Sequence, residues 1–149
     1  RHRVTRFLLD ISTVLGLLDP GSEHHEPAHA WAARATDAMW LTCPIVQNGV
    51  IRIASQPAYP GGALGTATAV RELVREFCDD PRHAFCPDDV SVLDDGLVIR
   101  PDLLTPHRIT DVYLLALARR HGARLATCDR KIAGYLVQGG SAALELIAP

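Results

Sequence analysis

Three aspartates stand where this chain could do chemistry. Asp10 directly follows the apolar run Phe7–Leu9, Asp129 directly follows Leu125–Cys128, and Asp111 lies near the start of the helical stretch Thr110–His121. On that helix Asp111 shares a face with Leu114, Leu115 and Ala118, the side that packs inward. If the two apolar runs are parallel strands, Asp10 and Asp129 emerge at one sheet edge, the edge beyond which open α/β sheets bind ligands. Taken singly, each has a plainer reading. Aspartate forms turns at strand ends, and Thr110 with Asp111 could serve the exposed N–H groups and the positive dipole end of their helix. Brought together, three carboxylates repel and raise one another's pKa values. Mg²⁺ or Mn²⁺ relieves that repulsion through hard oxygen ligands. Such an ion can make hydroxide from water and stabilise the leaving oxygen in phosphodiester hydrolysis.

Other chemistries find little support. Ser12 and Thr13 lack the G-x-S-x-G elbow of a hydrolase nucleophile. The histidines form no H-E-x-x-H pair, and Cys43, Cys78, Cys86 and Cys128 form no C-x-x-C pair for zinc. A haloacid-dehalogenase-like phosphatase wants a second Asp two residues after the first, where Ser12 stands, and a placed Lys, for which Lys131 is the only candidate. Arg108, three residues before Asp111, is the best candidate for a phosphate contact, with a surface loop Arg as the alternative. Arg130 and Lys131 have the same two readings, backbone contact or solvated helix start. Asp88 and Asp89, after Pro87, read as a turn or helix cap.

The elements that must hold these groups alternate along the chain. "RFLLD" reads as a buried strand followed by a short helix around 13–17. A helix covers about 28–38, "MWLTC" is a second strand, and a helix begins at Pro44, where a missing N–H costs nothing. On that helix Ile45, Val46, Val50, Ile53 and Ala54 form the apolar side. Gly49 lies mid-face, where it would admit a close neighbour, and Gln47 projects from the edge. A further helix covers 63–78, "HAFCPDDVSVLDDGLV" begins as a strand and continues as a turn and short helix, Thr110–His121 is stopped by Gly122, "RLATC" is a strand, and "LELIA" a last one. Strands separated by helices predict a three-layer α/β/α domain with a mostly parallel sheet, one domain over 1–149. With Lys+Arg 15 against Asp+Glu 17, the net charge of −2 offers nucleic acid no global attraction, so any contact needs a local basic patch. No run approaches the ~20 apolar residues of a membrane span. Four unpaired thiols in a cytoplasmic protein is the expectation.

With those residues in view, the sequence resembles the PIN-domain ribonucleases, and among them the VapC-type toxins of bacterial toxin–antitoxin pairs. The matching pieces are "FLLDISTVLGLLD", "TCPIVQNGVIRIASQPAY", "RHAFCPDDVSVLD" and "HRITDVYLLALARRHGARLATCDRKI", most specifically the span Asp111 to Asp129. The resemblance implies a compact α/β/α fold with a negatively charged pocket for Mg²⁺ or Mn²⁺, and endonucleolytic cleavage of RNA, often tRNA or ribosomal RNA. It also implies a homodimer and a VapB-type antitoxin whose arm crosses the groove. Asp10, Asp111 and Asp129 correspond to its acids, with Ser12 supporting the first. The general pattern has an acid, usually Glu, on the second conserved helix, and Gln47 stands there. Gln47 is then expected to face the site as an orienting amide. The alternative is a catalytically impaired domain that binds RNA or antitoxin without cutting.

Overall fold

The structure, a computed structural model, describes residues 4–148. Five parallel strands form its sheet: β1 (Thr5–Leu9), β2 (Ala38–Thr42), β3 (His83–Phe85), β4 (Arg124–Thr127) and β5 (Leu144–Leu146), in the order β3-β2-β1-β4-β5. The expected α/β class with a parallel sheet is therefore what forms. The helices are α1 (Ile11–Leu18), α2 (His25–Arg34), α3 (Pro44–Ala54), α4 (Ala67–Cys78) and α5 (Ile109–Arg120). Phe7, Leu8 and Leu9 of the central strand are all buried, as a strand covered on both faces requires. From β1 the chain steps to β2 and β3 in one direction, then returns through α5 to β4 on the other side of β1. Right-handed crossovers accordingly separate α1 to α4 from α5 onto opposite faces. The strand order reverses between β1 and β4, the switch point at which such sheets bind ligands.

The short helix expected after the third strand does not form, residues 86–97 running as turns and irregular chain, and two helix boundaries differ from the periodicity. The second helix starts earlier, at His25, and stops at Arg34; Ala35 leaves the helical region at φ −88°, ψ 65°. Ala38 belongs instead to β2, buried and paired with Thr5. Small apolar residues run through both elements, so the helical period carries past the true end. The fourth helix begins at Ala67 rather than Ala63, because the Thr66 hydroxyl caps it by accepting from the Ala69 N–H at 3.1 Å.

Gly49 behaves as its position suggests: a Cβ there would strike Ile11 at the start of α1, so the glycine permits close packing of α3 on α1. Asp88 caps a helix, though not its own. Its Oδ2 accepts from the Ile45 N–H in the first turn of α3 at 3.0 Å, and its Oδ1 accepts from the Tyr113 hydroxyl on α5 at 2.8 Å. The carboxylate thereby ties α3 to α5 and supplies the cap that Cys43 does not. Asp88→Ala is expected to cost about 2 kcal/mol, measured as a lowered urea midpoint. All four cysteines are free thiols, and no helix among the described residues is long and apolar enough to cross a membrane.

Candidate active site

Helices in such crossovers run against the strands, so the starts of α1 and α5 meet the carboxyl ends of β1 and β4. Asp10, Asp111 and Asp129 consequently line one cleft of about 350 Å³, together with Ser12, Ile53 and Leu114. The sequence expectation that the three share one edge describes their placement.

Asp10 is buried, at 5 % exposure, and the burial is tolerable because its oxygens are well supplied with donors. Its Oδ1 accepts from the Ser12 hydroxyl at 2.8 Å and the Thr13 N–H at 2.9 Å, which makes it the N-cap of α1. The Thr13 hydroxyl, 2.8 Å from Oδ1 and 2.9 Å from the Ala126 carbonyl, divides one proton between two acceptors. The Thr127 hydroxyl donates to Oδ2 at 2.5 Å. Thr127 Oγ1 also accepts the Asp129 N–H at 3.0 Å, so Thr127 fixes two of the acids relative to each other. Asp129 Oδ1 in turn accepts from the Lys131 N–H at 2.8 Å, closing the turn after β4. Ser12 also accepts from the Cys128 N–H at 3.4 Å, a second tie between β4 and α1.

Asp111 is different. It makes no cap hydrogen bond, and among the described residues no protein donor reaches its carboxylate. Burial, then the negative charges of Asp10 and Asp129, push its pKa up to about 6. This is the repulsion that three converging acids should produce, and hard, uncompensated oxygen donors are what Mg²⁺ or Mn²⁺ prefers. Among the described residues no three Asp, Glu, His or Cys side chains are arranged to hold an ion between them as they stand.

Two expected site residues lie elsewhere. The Gln47 side chain does not enter the acid cleft. Its Nε2 donates to Thr42 Oγ1 at 3.0 Å, with Cys78 Sγ at 3.9 Å, and it lines a separate groove with Arg71 and Arg75 of α4. The Thr42 hydroxyl meets His83 Nε2 at 2.7 Å, and burial lowers the pKa of that histidine. On α3 it is Gly49 that faces α1, with Ile11 filling the space, and Ile53 that lines the cleft; the helix presents no acid there. Gln47→Glu is accordingly expected to cost about 1 kcal/mol, since a carboxylate cannot donate to Thr42; a lowered urea midpoint checks it. Arg108 is also not in the cleft, because its guanidinium donates to the Leu103 carbonyl at 3.0 Å. Thr13 and Thr127 are functional-site residues that spacing did not single out. The only mark they leave in the sequence is a hydroxyl within three residues of an acid, in an otherwise apolar run.

Residues 7–135 match the PIN domain. The chain belongs to the PIN-domain family. It is 39% identical over 136 residues to a protein of Mycobacterium tuberculosis named Ribonuclease VapC44, covering 91% of this chain and 94% of the relative. It is 33% identical over 140 residues to Ribonuclease VapC38 of the same organism, covering 94% and 96%. Among solved structures it is similar to Mycobacterium tuberculosis VapC20, described as a sarcin–ricin loop cleaving toxin, with a TM-score of 0.62 at 14% identity over 96% of this chain and 99% of the other. VapBC2 of Rickettsia felis, bound to a promoter DNA fragment, follows with a TM-score of 0.56 at 10% identity over 85% and 90%. The last two likenesses are of fold. In this PIN domain the fold puts the acids at the switch point, and the threonines and Ser12 set their spacing.

Proposed function

We propose that this PIN domain, a single domain over residues 1–149, is a metal-dependent endoribonuclease. It would be the toxin of a bacterial toxin–antitoxin pair, hydrolysing phosphodiester bonds of tRNA or ribosomal RNA in the cytoplasm. The observation that carries the reading is the cleft where Asp10, Asp111 and Asp129 converge, with Asp111 perturbed by the other two. Support comes from relatives named as ribonucleases over nearly the whole chain. A homodimer and a cognate VapB-type antitoxin belong to the same proposal, the antitoxin supported by the VapB–VapC complex among the similar folds.

Asp10, Asp111 and Asp129 would hold Mg²⁺ or Mn²⁺, and when bound such an ion acidifies water and offsets charge on the phosphate. The chain's own groups do the rest. Ser12 and Thr127 fix the Asp10 carboxylate, and Thr127 also fixes the Asp129 backbone beside it. Asp111, without a protein donor and with its pKa pushed up to about 6 in the metal-free protein, is the carboxylate that a cation would relieve most. Ile53 and Leu114 keep one wall of the cleft apolar.

The test is to incubate the purified, antitoxin-free protein with total RNA and Mn²⁺, with EDTA and Asp111→Asn controls, and to map new RNA ends. Discrete ends that vanish in both controls are the expected result; RNA left whole in every lane overturns it. That outcome would favour the second reading, a PIN domain that binds RNA or antitoxin without cutting. The lack of an acid on the α3 face toward the cleft speaks for it.

A further inference from the structure

The cleft does not end at the carboxylates. Helical spacing puts Ser12 and Leu15 on one face of α1, and Asp19 follows just past its end. That face leads from the acids into a second cavity of about 450 Å³, bounded by Asp19, Glu23, His24, Tyr59 and Pro60. A third cavity, of about 510 Å³, shares Ser12, Glu23 and His24 with the second and is lined by Asp129, Arg130 and Lys131. Ser12 is common to all three.

The second cavity is built rather than incidental. Asp19 is 6 % exposed, its Oδ1 accepts from the Gly21 N–H at 2.8 Å and its Oδ2 from the Tyr59 hydroxyl at 2.7 Å. A carboxylate offers about four acceptor positions, so acceptor capacity remains. Burial, then Asp19 itself, push the Tyr59 pKa up to about 12, which keeps the hydroxyl a donor to Asp19. The loop carrying Tyr59 and Pro60 is pinned by successive turns, Tyr59 N–H to Gln56 O at 3.0 Å and Gly62 N–H to Tyr59 O at 2.8 Å.

We propose that this second cavity is a guanine-selective subsite for a nucleotide beside the scissile phosphate, with the backbone directed toward Arg130 and Lys131; the assignment rests on the ribonuclease reading. Sequence-specific recognition of single-stranded RNA splays out a base, stacks it on a ring or guanidinium and bonds its edge. Tyr59 and His24 supply rings. The acidic side chains of the cavity, Asp19 and Glu23, are acceptors only. Guanine alone among the four bases presents two adjacent donors, N1–H and the N2 amino group, to a carboxylate fork. Adenine and cytosine set an acceptor beside their donor, and uracil sets its one donor between two acceptors. Charge sorts the rest of the nucleotide: buried Asp19, which lines the second cavity and not the third, repels phosphate, whereas Arg130 and Lys131, which line the third with Glu23 and Asp129, form no ion pair among the described residues and attract it.

The experiment is an NMR titration of the isotope-labelled chain with GMP, AMP, CMP and UMP in turn. GMP is expected to shift the Gly21, Ser22 and His24 amides and to bind at least five-fold tighter than UMP. Glu23→Gln and His24→Ala, both surface changes whose spectra report their folding, should bring GMP within two-fold of the others. Equal shifts with all four nucleotides, or none at these residues, overturn the subsite. Because binding is read without cleavage, the two failures separate. RNA cutting without base discrimination in the titration leaves the ribonuclease and removes the subsite. Guanine-selective shifts in a chain that cuts no RNA do the reverse.

Discussion

Asp111→Asn is expected to abolish RNA cleavage, by at least 100-fold, and to raise the melting temperature of the metal-free protein at the same time. The first effect follows from the proposed role of Asp111 as a ligand of the ion. The second follows from its surroundings. Its pKa is raised from 3.8 to about 6 by burial and by two like charges, so at pH 7.5 it carries a charge that its environment opposes. A carboxyl with a folded pKa above its unfolded one binds protons more tightly when folded. The stability it contributes is fully present below pH 3.8 and is lost as pH rises through about 6. Asparagine escapes that loss. After allowance for solvent screening of a half-buried group, the gain at pH 7.5 is ~1–2 kcal/mol, or roughly 3–6 °C for a chain of this length. The gap should close by pH 4. Thermal melts in EDTA at pH 4 and pH 7.5 measure it directly, and an asparagine variant that melts lower than the parent at pH 7.5 would contradict the electrostatic account. A group that lowers stability where it raises activity is what a functional site predicts.

The sheet and the three acids were legible in the sequence because each has a local cause. A strand buried on both faces is a continuous apolar run, so its end is visible, and the acids after Leu9 and Cys128 stand out against it. Asp111 stood out because helical spacing put it on the packed face of α5. Gln47 misled for the converse reason. Periodicity reveals which face of α3 is apolar, yet it does not say whether a shoulder residue meets α1 or α4. That is settled by Gly49, whose missing side chain lets α3 close onto Ile11 and turns Gln47 toward Thr42 and Cys78. Arg108 was placed by its distance along the chain from Asp111. Its guanidinium instead satisfies a carbonyl five residues earlier, a loop contact with no periodic trace. Thr127 is the instructive omission. Its hydroxyl serves Asp10, which is 117 positions away in sequence, and only strand pairing between β1 and β4 brings the two together.

Asp10→Ala should have the opposite sign from Asp111→Asn on stability, although both remove a carboxylate from the same cleft. Asp10 is the hub that several donors need. Without it the Ser12 hydroxyl, the Thr13 N–H and the Thr127 hydroxyl lose their acceptor in a buried space, and α1 loses its N-cap. A lost cap costs ~1 kcal/mol, and each stranded buried donor adds about 1 kcal/mol or more. The expected loss is therefore about 3 kcal/mol, seen as a lower urea midpoint with unchanged slope. Cleavage should vanish as well, and the pairing of the two outcomes is informative. Asp10→Ala combined with Thr127→Val removes the acceptor together with one donor, and should be less destabilised than the sum of the single changes, because the hydroxyl that Asp10→Ala strands is no longer present. Strict additivity would mean that the hydrogen bond between Thr127 and Asp10 does not contribute to the fold. Coupling there, set against relief at Asp111, would separate the acid that organises the cleft from the acid kept free to react.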